Sequence, residues 1–372
     1  MESCNDGAAE NGVRRTHLLR HFNTSHFAAC ITRVNVEDFF AIIKTTDAAV
    51  LDEPKIHEPT ADAVVEPAIE GRPRPTTVGI KDAKIYIDGK FYTEADAKVS
   101  VFDHGLLYGD GIFEGIRFYN GRVFRLGEHL DRLWDSARSI SLEIPMTKQG
   151  MTEALLETIR QNHVRDGYVR LVVTRGIGNL GLNPTQCKWP SVIIIVAAIT
   201  LYHENLYRKG LTIVTCATRR CNAGALNPAV KSLNYLNNVM ARLEANLADA
   251  DEALMLNDAG NVAECTADNV FVVKRGQIVT PPVTAGALRG ITRSVAFEIA
   301  AELGFKTLKA DITRHDVYVA DECFLTGTAA EIVPVVKADG RVIGNGKPGP
   351  ITMRIIARFR EMTRETGTPI FA

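Results

Sequence analysis

Twice in the first half of the chain, an alternation of apolar and polar residues is broken by two turn-forming positions. KIYIDGKFY (84–92) breaks at Asp88-Gly89, and IRFYNGRVFRL (116–126) at Asn120-Gly121. Both read as tight hairpins, because these pairs accept the positive φ angles that a two-residue turn demands. The period then lengthens. Leu130, Leu133, Trp134 and Ala137 predict a helix over 128–140, and a second follows over 150–161. Residues 168–174 and SVIIIVAA (191–198) return to strand-like composition. Past residue 210 a strand is expected over 211–216. Leu233, Leu236, Met240, Leu243 and Leu247 then recur at three- and four-residue intervals, which predicts an amphipathic helix over 233–248. NVAEC (261–265) opens a strand-like run that ends in NVFVVKRG (269–276). GALRGITRSVAFEIAAELG (286–304) reads as a helix closed by Gly304.

This order of elements predicts a two-domain α/β (α+β) chain, with a small α+β domain over 83–204 and a larger domain over 205–372. Residues 1–82 stand apart as an extension. Five prolines and many acids over 54–77 read as a disordered linker, and Arg14, Arg15, Arg20 and Arg33 give the first part a faint likeness to an organelle transit peptide. A start codon set upstream of the natural one is the simpler reading of that extension.

Composition narrows the function classes. The chain has 372 residues, 46% hydrophobic and 23% charged, with a formal net charge of −1. Without a basic excess, nucleic acid and acidic membrane surfaces are poor partners. The longest apolar run, 192–199, is strand-sized and too short to span a bilayer. Seven cysteines, odd in number and without a C-x-x-C pair, argue against a disulfide framework and a structural metal site. They fit a reducing, cytoplasmic setting.

One motif invites a wrong turn. RLVVTRGIGNLGLNP (170–184) contains G-x-G-x-x-G, the dinucleotide fingerprint, which has force only where a strand enters the loop and a helix leaves it. Here Pro184 and Pro190 come next and then a second strand, so a hydride-transfer enzyme is not supported. Other features carry more chemistry. Lys231 lies just before a helix, Glu264 sits inside a strand-like run, and Gly290-Ile291-Thr292 opens a helix whose free N–H groups suit a phosphate. Gly327-Thr328-Ala329 makes a strand-to-turn segment able to hold a second anion. An amine, an acid and two anion-binding turns are thereby assembled.

Taken in order, YGDGIFEGIR (108–117), VFRLGEHLDRL (123–133), YVR (168–170), KSLNYLNN (231–238), the VAE–DN segment (262–269), GITR (290–293) and GTAAEI (327–332) resemble the fold type IV pyridoxal-phosphate enzymes, specifically the branched-chain amino acid aminotransferases. The resemblance covers about 84–364. It implies a fold type IV architecture with a larger pseudo-barrel α/β domain, pyridoxal 5'-phosphate as cofactor, and a homodimer or higher homo-oligomer with the site near the subunit interface. The activity implied is transamination of leucine, isoleucine and valine with 2-oxoglutarate. Lys231 is implied as the Schiff-base lysine and base, and Glu264 as the acid facing the pyridine nitrogen. Arg125, Ile291, Thr292 and Thr328 are implied at the phosphate, Tyr235 near the cofactor hydroxyl, and Leu288 among the cofactor contacts. For the substrate, the resemblance assigns Tyr168, Thr328 and Ala329 to the α-carboxylate. It gives Tyr108, Phe113, Gly115 and Tyr202 to an apolar pocket, and Arg170 or Arg117 to a second carboxylate. GIGNLG becomes a substrate loop.

Two departures stand out: ECTADN where many relatives have glycines, and Arg289 where many have proline. D-Amino acid aminotransferases and aminodeoxychorismate lyases share the lysine, the acid and the phosphate turns. The D-enzymes carry an arginine–histidine trap after the VTRG strand, where this chain reads NLGLNP without histidine. A catalytically dead relative would lack Lys231 or Glu264; both are present.

Overall fold

Both hairpins form where the Asx-Gly pairs stand. In the computed structural model, which describes residues 78–198 and 204–371, β1 (Lys84–Ile87) pairs with β2 (Lys90–Thr93), and β3 (Gly111–Tyr119) turns into β4 (Arg122–Val123). Asp88, Gly89, Asn120 and Gly121 all take positive φ. Most of the expected extension and Tyr202 lie outside the described residues.

The first sheet continues with β5 (Gly167–Thr174) and β6 (Ser191–Ala197), paired antiparallel along their length. The GIGNLG loop therefore joins strand to strand; its one helical element is a single 3₁₀ turn at Pro184–Gln186. Gly176 makes the first bend with φ of 86°, and a Cβ there would lie 1.8 Å from the Trp189 carbonyl oxygen, so only glycine fits. A short helix α1 (His104–Tyr108) packs beside this loop, with its His104 ring 2.7 Å from the Asn179 carbonyl. Helices α2 (Leu126–Ser139) and α3 (Lys148–Gln161) cover one face of the sheet. Ile112, Ile116 and Phe118 of β3 meet Leu126, Leu130 and Leu133 of α2 there, in a fully buried core. Side chains on a strand alternate, so Phe113, Gly115 and Arg117 leave by the opposite face. That second face carries the chemistry.

After α4 (Glu204–Lys209) the second sheet begins with β7 (Leu211–Thr215). Helix α5 (Leu236–Leu247) leads into β8 (Glu252–Leu256), β9 (Val262–Cys265), β10 (Asn269–Lys274) and β11 (Gln277–Thr280). Helix α6 (Ile291–Glu302), β12 (Thr307–Lys309) and α7 (Arg314–Tyr318) follow, then β13 (Glu322–Gly327), β14 (Glu331–Ala338) and β15 (Arg341–Val342). The strand order is β12-β11-β10-β13-β14-β7-β8-β9, with β15 on β14, a curled half-barrel. Leu211, Leu254, Val270, Leu325 and Val333 fill one of its faces. Helices α6 and α8 (Pro350–Glu365) cover the other through Val295, Ile299, Ile355 and Phe359. The last strand, β16 (Thr368–Pro369), returns to the first sheet and pairs with β4.

Helix α5 is amphipathic, as the spacing predicts. It forms near the predicted place, but its apolar stripe faces outward: Leu236 is 71% exposed and Leu247 89%, with Val239, Met240 and Leu243 also exposed. Its buried face consists of Asn238, Ala241 and Ala245. Small residues let the helix lie close on β8, where Met255 and Ala253 sit in the same cluster. Periodicity reports that a stripe exists; it does not report what covers it.

Candidate active site

Backbone pairing places Lys231. Strand β5 occupies one edge of β3, while β4 covers only the last two residues of the other, which leaves Gly111–Phe113 with open hydrogen-bonding groups. Residues 231–233 fill that edge. The Phe113 N–H donates to the Lys231 carbonyl and the Leu233 N–H to the Gly111 carbonyl, each at 2.9 Å. The Lys231 N–H is satisfied by Ser136 Oγ at 3.2 Å. Its side chain enters a cavity of about 340 Å³, where Nζ donates to the Tyr235 hydroxyl at 2.9 Å and stands 4.4 Å from the Phe113 ring centre.

Glu264 ends in the same cavity. Arg220 Nη2 pairs with its Oε1 at 2.8 Å, and the Leu288 N–H and Asn269 Nδ2 donate to Oε2 at 2.8 and 3.1 Å. Burial pushes its carboxyl above the usual carboxylate value, with Arg220 the strongest opposing influence. A buried carboxylate with raised proton affinity is suited to share a proton with a basic ring nitrogen.

A third set of groups accepts anions. Helix α6 starts behind Gly290 without a side-chain cap, so the first-turn N–H groups of Ile291 and Thr292 have no partner within the helix and lie at its positive end. Ile291, Thr292, Thr328 and Arg132 border the cavity beside them. Arg132 is held by three bonds: Nε and Nη2 donate to the Glu114 carboxylate at 2.7 and 2.8 Å, and Nη1 to the Arg289 carbonyl at 2.9 Å. His129 Nδ1 approaches Glu114 Oε2 at 2.8 Å. The hydroxyl of Thr326, buried in the cavity wall, is without a hydrogen-bond partner. This donor set fits a phosphorylated aromatic aldehyde: an amine, a proton-holding acid, and an uncapped helix with an arginine for the phosphate.

The remaining wall is suited to a substrate. Arg170 Nη2 donates to the Tyr168 hydroxyl at 3.1 Å, and its guanidinium lies 4.5 Å over the Phe113 ring. Gly115 opposite makes room, since a Cβ there would lie 2.1 Å from the Tyr168 hydroxyl. The Thr328–Ala329 turn is anchored behind by the Tyr207 hydroxyl on the Ala330 carbonyl at 3.0 Å.

Of the residues named from the sequence, Lys231, Tyr235, Glu264, Leu288, Ile291, Thr292 and Thr328 line this cavity, as do Phe113, Gly115, Tyr168, Arg170 and Ala329. Three do not. Arg125 caps α2 with φ of 54° and pairs with Glu128 at 3.0 Å and with Glu298. Arg132, seven residues on, occupies the cavity instead. The two are nearly in phase on a helix but about 10 Å apart along it, so the motif alone does not separate them. Arg117 is engaged by Glu331 at 3.3 Å, and the Tyr108 hydroxyl donates to the Leu180 carbonyl. Arg132, Arg220, Asn238, Asn269 and Thr326 were not singled out from the sequence: Arg132, Arg220 and Asn238 meet partners that only the fold brings near, and Thr326 has none. The one available signal was VFRLGEHLDRL, which holds two arginines.

Comparison with known proteins places the chain in a family. Residues 111–338 match the family described as amino-transferase class IV. The chain belongs to the class IV aminotransferases. A Methanocaldococcus jannaschii protein provisionally named a branched-chain-amino-acid aminotransferase is 52% identical over 288 residues, 77% of this chain and 99% of that one. The solved branched-chain amino acid aminotransferase of Thermobaculum terrenum, in its PLP-form, superposes with a TM-score of 0.71 at 29% identity, covering 78% of this aminotransferase and 99% of that chain. A D-alanine aminotransferase of Listeria monocytogenes is 35% identical over 292 residues, 78% of this chain and 99% of its own.

The brace on Arg132 has a pH signature. Burial would raise the Glu114 carboxyl, but the Arg132 guanidinium and the His129 hydrogen bond outweigh it and hold the carboxyl at about 2. A value below that of the unfolded chain stabilises the fold at neutral pH, and this is lost as pH falls through the range from about 5 towards 2. In a His129→Asn background, where no imidazole titrates beside the carboxylate, urea unfolding with Glu114 and with Glu114→Gln should therefore differ by a constant amount from about pH 8 to 6, with the gap narrowing below about pH 5. A gap unchanged at pH 3.5 would contradict the pairing.

Proposed function

We propose that this class IV aminotransferase transfers the amino group of leucine, isoleucine and valine to 2-oxoglutarate, with pyridoxal 5'-phosphate held in the 340 Å³ cavity. The observation that carries the proposal is the meeting of Lys231 and Glu264 with the uncapped α6 terminus in one cavity, whose remaining wall combines Phe113 with Arg170. When bound, the cofactor supplies an electron sink for negative charge at the substrate α-carbon and carries the amino group between half-reactions. Arg132, the Ile291 and Thr292 amides and Thr328 hold the phosphate, Arg132 taking the role expected of Arg125. Glu264 holds a proton at the ring nitrogen. Tyr235 orients Lys231 Nζ, which is the amine for the cofactor aldehyde and moves the α-proton of the substrate.

Tyr168 and the Thr328–Ala329 amides receive the α-carboxylate. Phe113 then offers an apolar wall to an aliphatic chain, while Arg170, stacked on the same ring, pairs with the second carboxylate of glutamate or 2-oxoglutarate. A D-amino acid reading is less well supported. The one arginine between β5 and β6, Arg175, is tied to Asp110 at 2.9 Å and to the carbonyls of Ser141 and Ile140 at 2.6 and 2.7 Å, so it is not available as a carboxylate trap.

The functional unit we propose is a homodimer or higher homo-oligomer. The exposed stripe of α5 and the exposed Leu106, Leu180 and Leu182 are apolar surfaces that a second copy would cover.

Lys231→Ala should lower both half-reactions by roughly a thousand-fold or more while leaving the unfolding transition near that of the wild type; turnover within ten-fold of wild type would remove the assignment. Leu243→Asp with Leu247→Asp should shift the solution mass by light scattering towards the monomer, and an unchanged assembly would show that α5 is not the interface.

A further inference from the structure

Glu114 is the fully buried acid of β3, and nothing in the transamination chemistry calls for it. Its neighbours Phe113 and Gly115 face the substrate wall, so strand alternation sends Glu114 to the other side, towards α2. There it meets Arg132 and His129. A guanidinium carries five N–H donors in one plane. Two of those on Arg132 go to Glu114 and one to the Arg289 carbonyl, the residue just before the α6 N-cap. Bonds along two edges of the plane stop it from rotating. The donors left over, one on each terminal nitrogen, belong to a group that borders the cavity next to Thr292.

The second prop is His129. Burial keeps its imidazole from charging easily, so towards Glu114 it serves mainly as a hydrogen-bond donor on the Oε2 side. Glu114 thus accepts from the guanidinium on both oxygens and is itself held from α2. We propose that Glu114, supported by His129, is a positioning residue for phosphate recognition: it fixes the plane of Arg132 so that the two unused N–H groups point at the cofactor phosphate. The inference rests on the cofactor reading above. A positioning role costs the arginine part of its field, because the carboxylate offsets its charge. What it gains is direction, which matters for charge-assisted hydrogen bonds more than for a diffuse attraction.

A buried ion pair that only stabilised the fold would act on every ligand of the cavity alike. A positioning role acts only on ligands that carry the phosphate. The test is therefore the ratio of two dissociation constants, measured on full-length protein stripped of cofactor: pyridoxal 5'-phosphate against pyridoxal, which lacks the phosphate. Glu114→Gln should weaken binding of the phosphorylated form by at least about ten-fold and leave pyridoxal within two-fold. His129→Asn should move the ratio the same way by about three-fold, and it decides the matter if Glu114→Gln does not fold. In an Arg132→Lys background, Glu114→Gln should reduce the ratio no further. Equal losses for both ligands in Glu114→Gln, or an unchanged ratio in His129→Asn, would overturn the positioning role. A wild-type protein with no preference for the phosphorylated form would instead overturn the cofactor reading, a failure visible before any variant is measured.

Discussion

Everything in the candidate site depends on a short backbone pairing. Strand β3 has one edge taken by β5 and the start of the other left open, and residues 231–233 close it with two hydrogen bonds of 2.9 Å. Buried N–H and C=O groups must be paired, so this edge cannot be abandoned without leaving polar groups unsatisfied. The pairing brings a lysine of the second half of the chain against the ring of Phe113 in the first. The cavity is a consequence: β3 supplies a wall, the half-barrel supplies Glu264 and the α6 terminus, and Lys231 enters between them.

The two faces of β3 divide the labour. Phe113 and Gly115 line the cavity, and Arg117 on that same face ties down Glu331 at the end of the Thr328–Ala329 turn. Glu114 on the other face anchors Arg132. Period-two alternation thus lets nine residues serve the core and the cavity together. It also limits what can change there. Gly115 cannot gain a side chain without displacing the Tyr168 hydroxyl.

Much of this was legible in the sequence because it is local. Asp88-Gly89 and Asn120-Gly121 make their hairpins through their own φ preferences, and Gly304 ends α6 in the same way, with φ of 76°. The GIGNLG loop was legible as a strand-to-strand connection because the prolines and the strand that succeed it are also local signals. Lys231, Glu264 and the α6 terminus came from residue types in recognisable surroundings. Failures arose where a partner lay far along the chain. Arg125 and Arg132 share a helical phase, and only contacts with Glu114 and Arg289 distinguish them. Arg220 finds Glu264 across 44 residues, and no periodicity marks it. The stripe on α5 was seen, but which face a helix buries is decided by what packs against it; here Ala241 and Ala245 fit the sheet more closely than leucines would.

A single cavity that performs the L-specific half-reaction on a branched aliphatic amino acid should reveal itself in the visible absorption of the full-length protein loaded with pyridoxal 5'-phosphate. The spectrum is recorded with excess L-leucine and, separately, with excess D-alanine. L-Leucine alone is expected to bleach the band of the bound cofactor, and 2-oxoglutarate to restore it. A band bleached by D-alanine and indifferent to L-leucine would contradict the proposed chemistry.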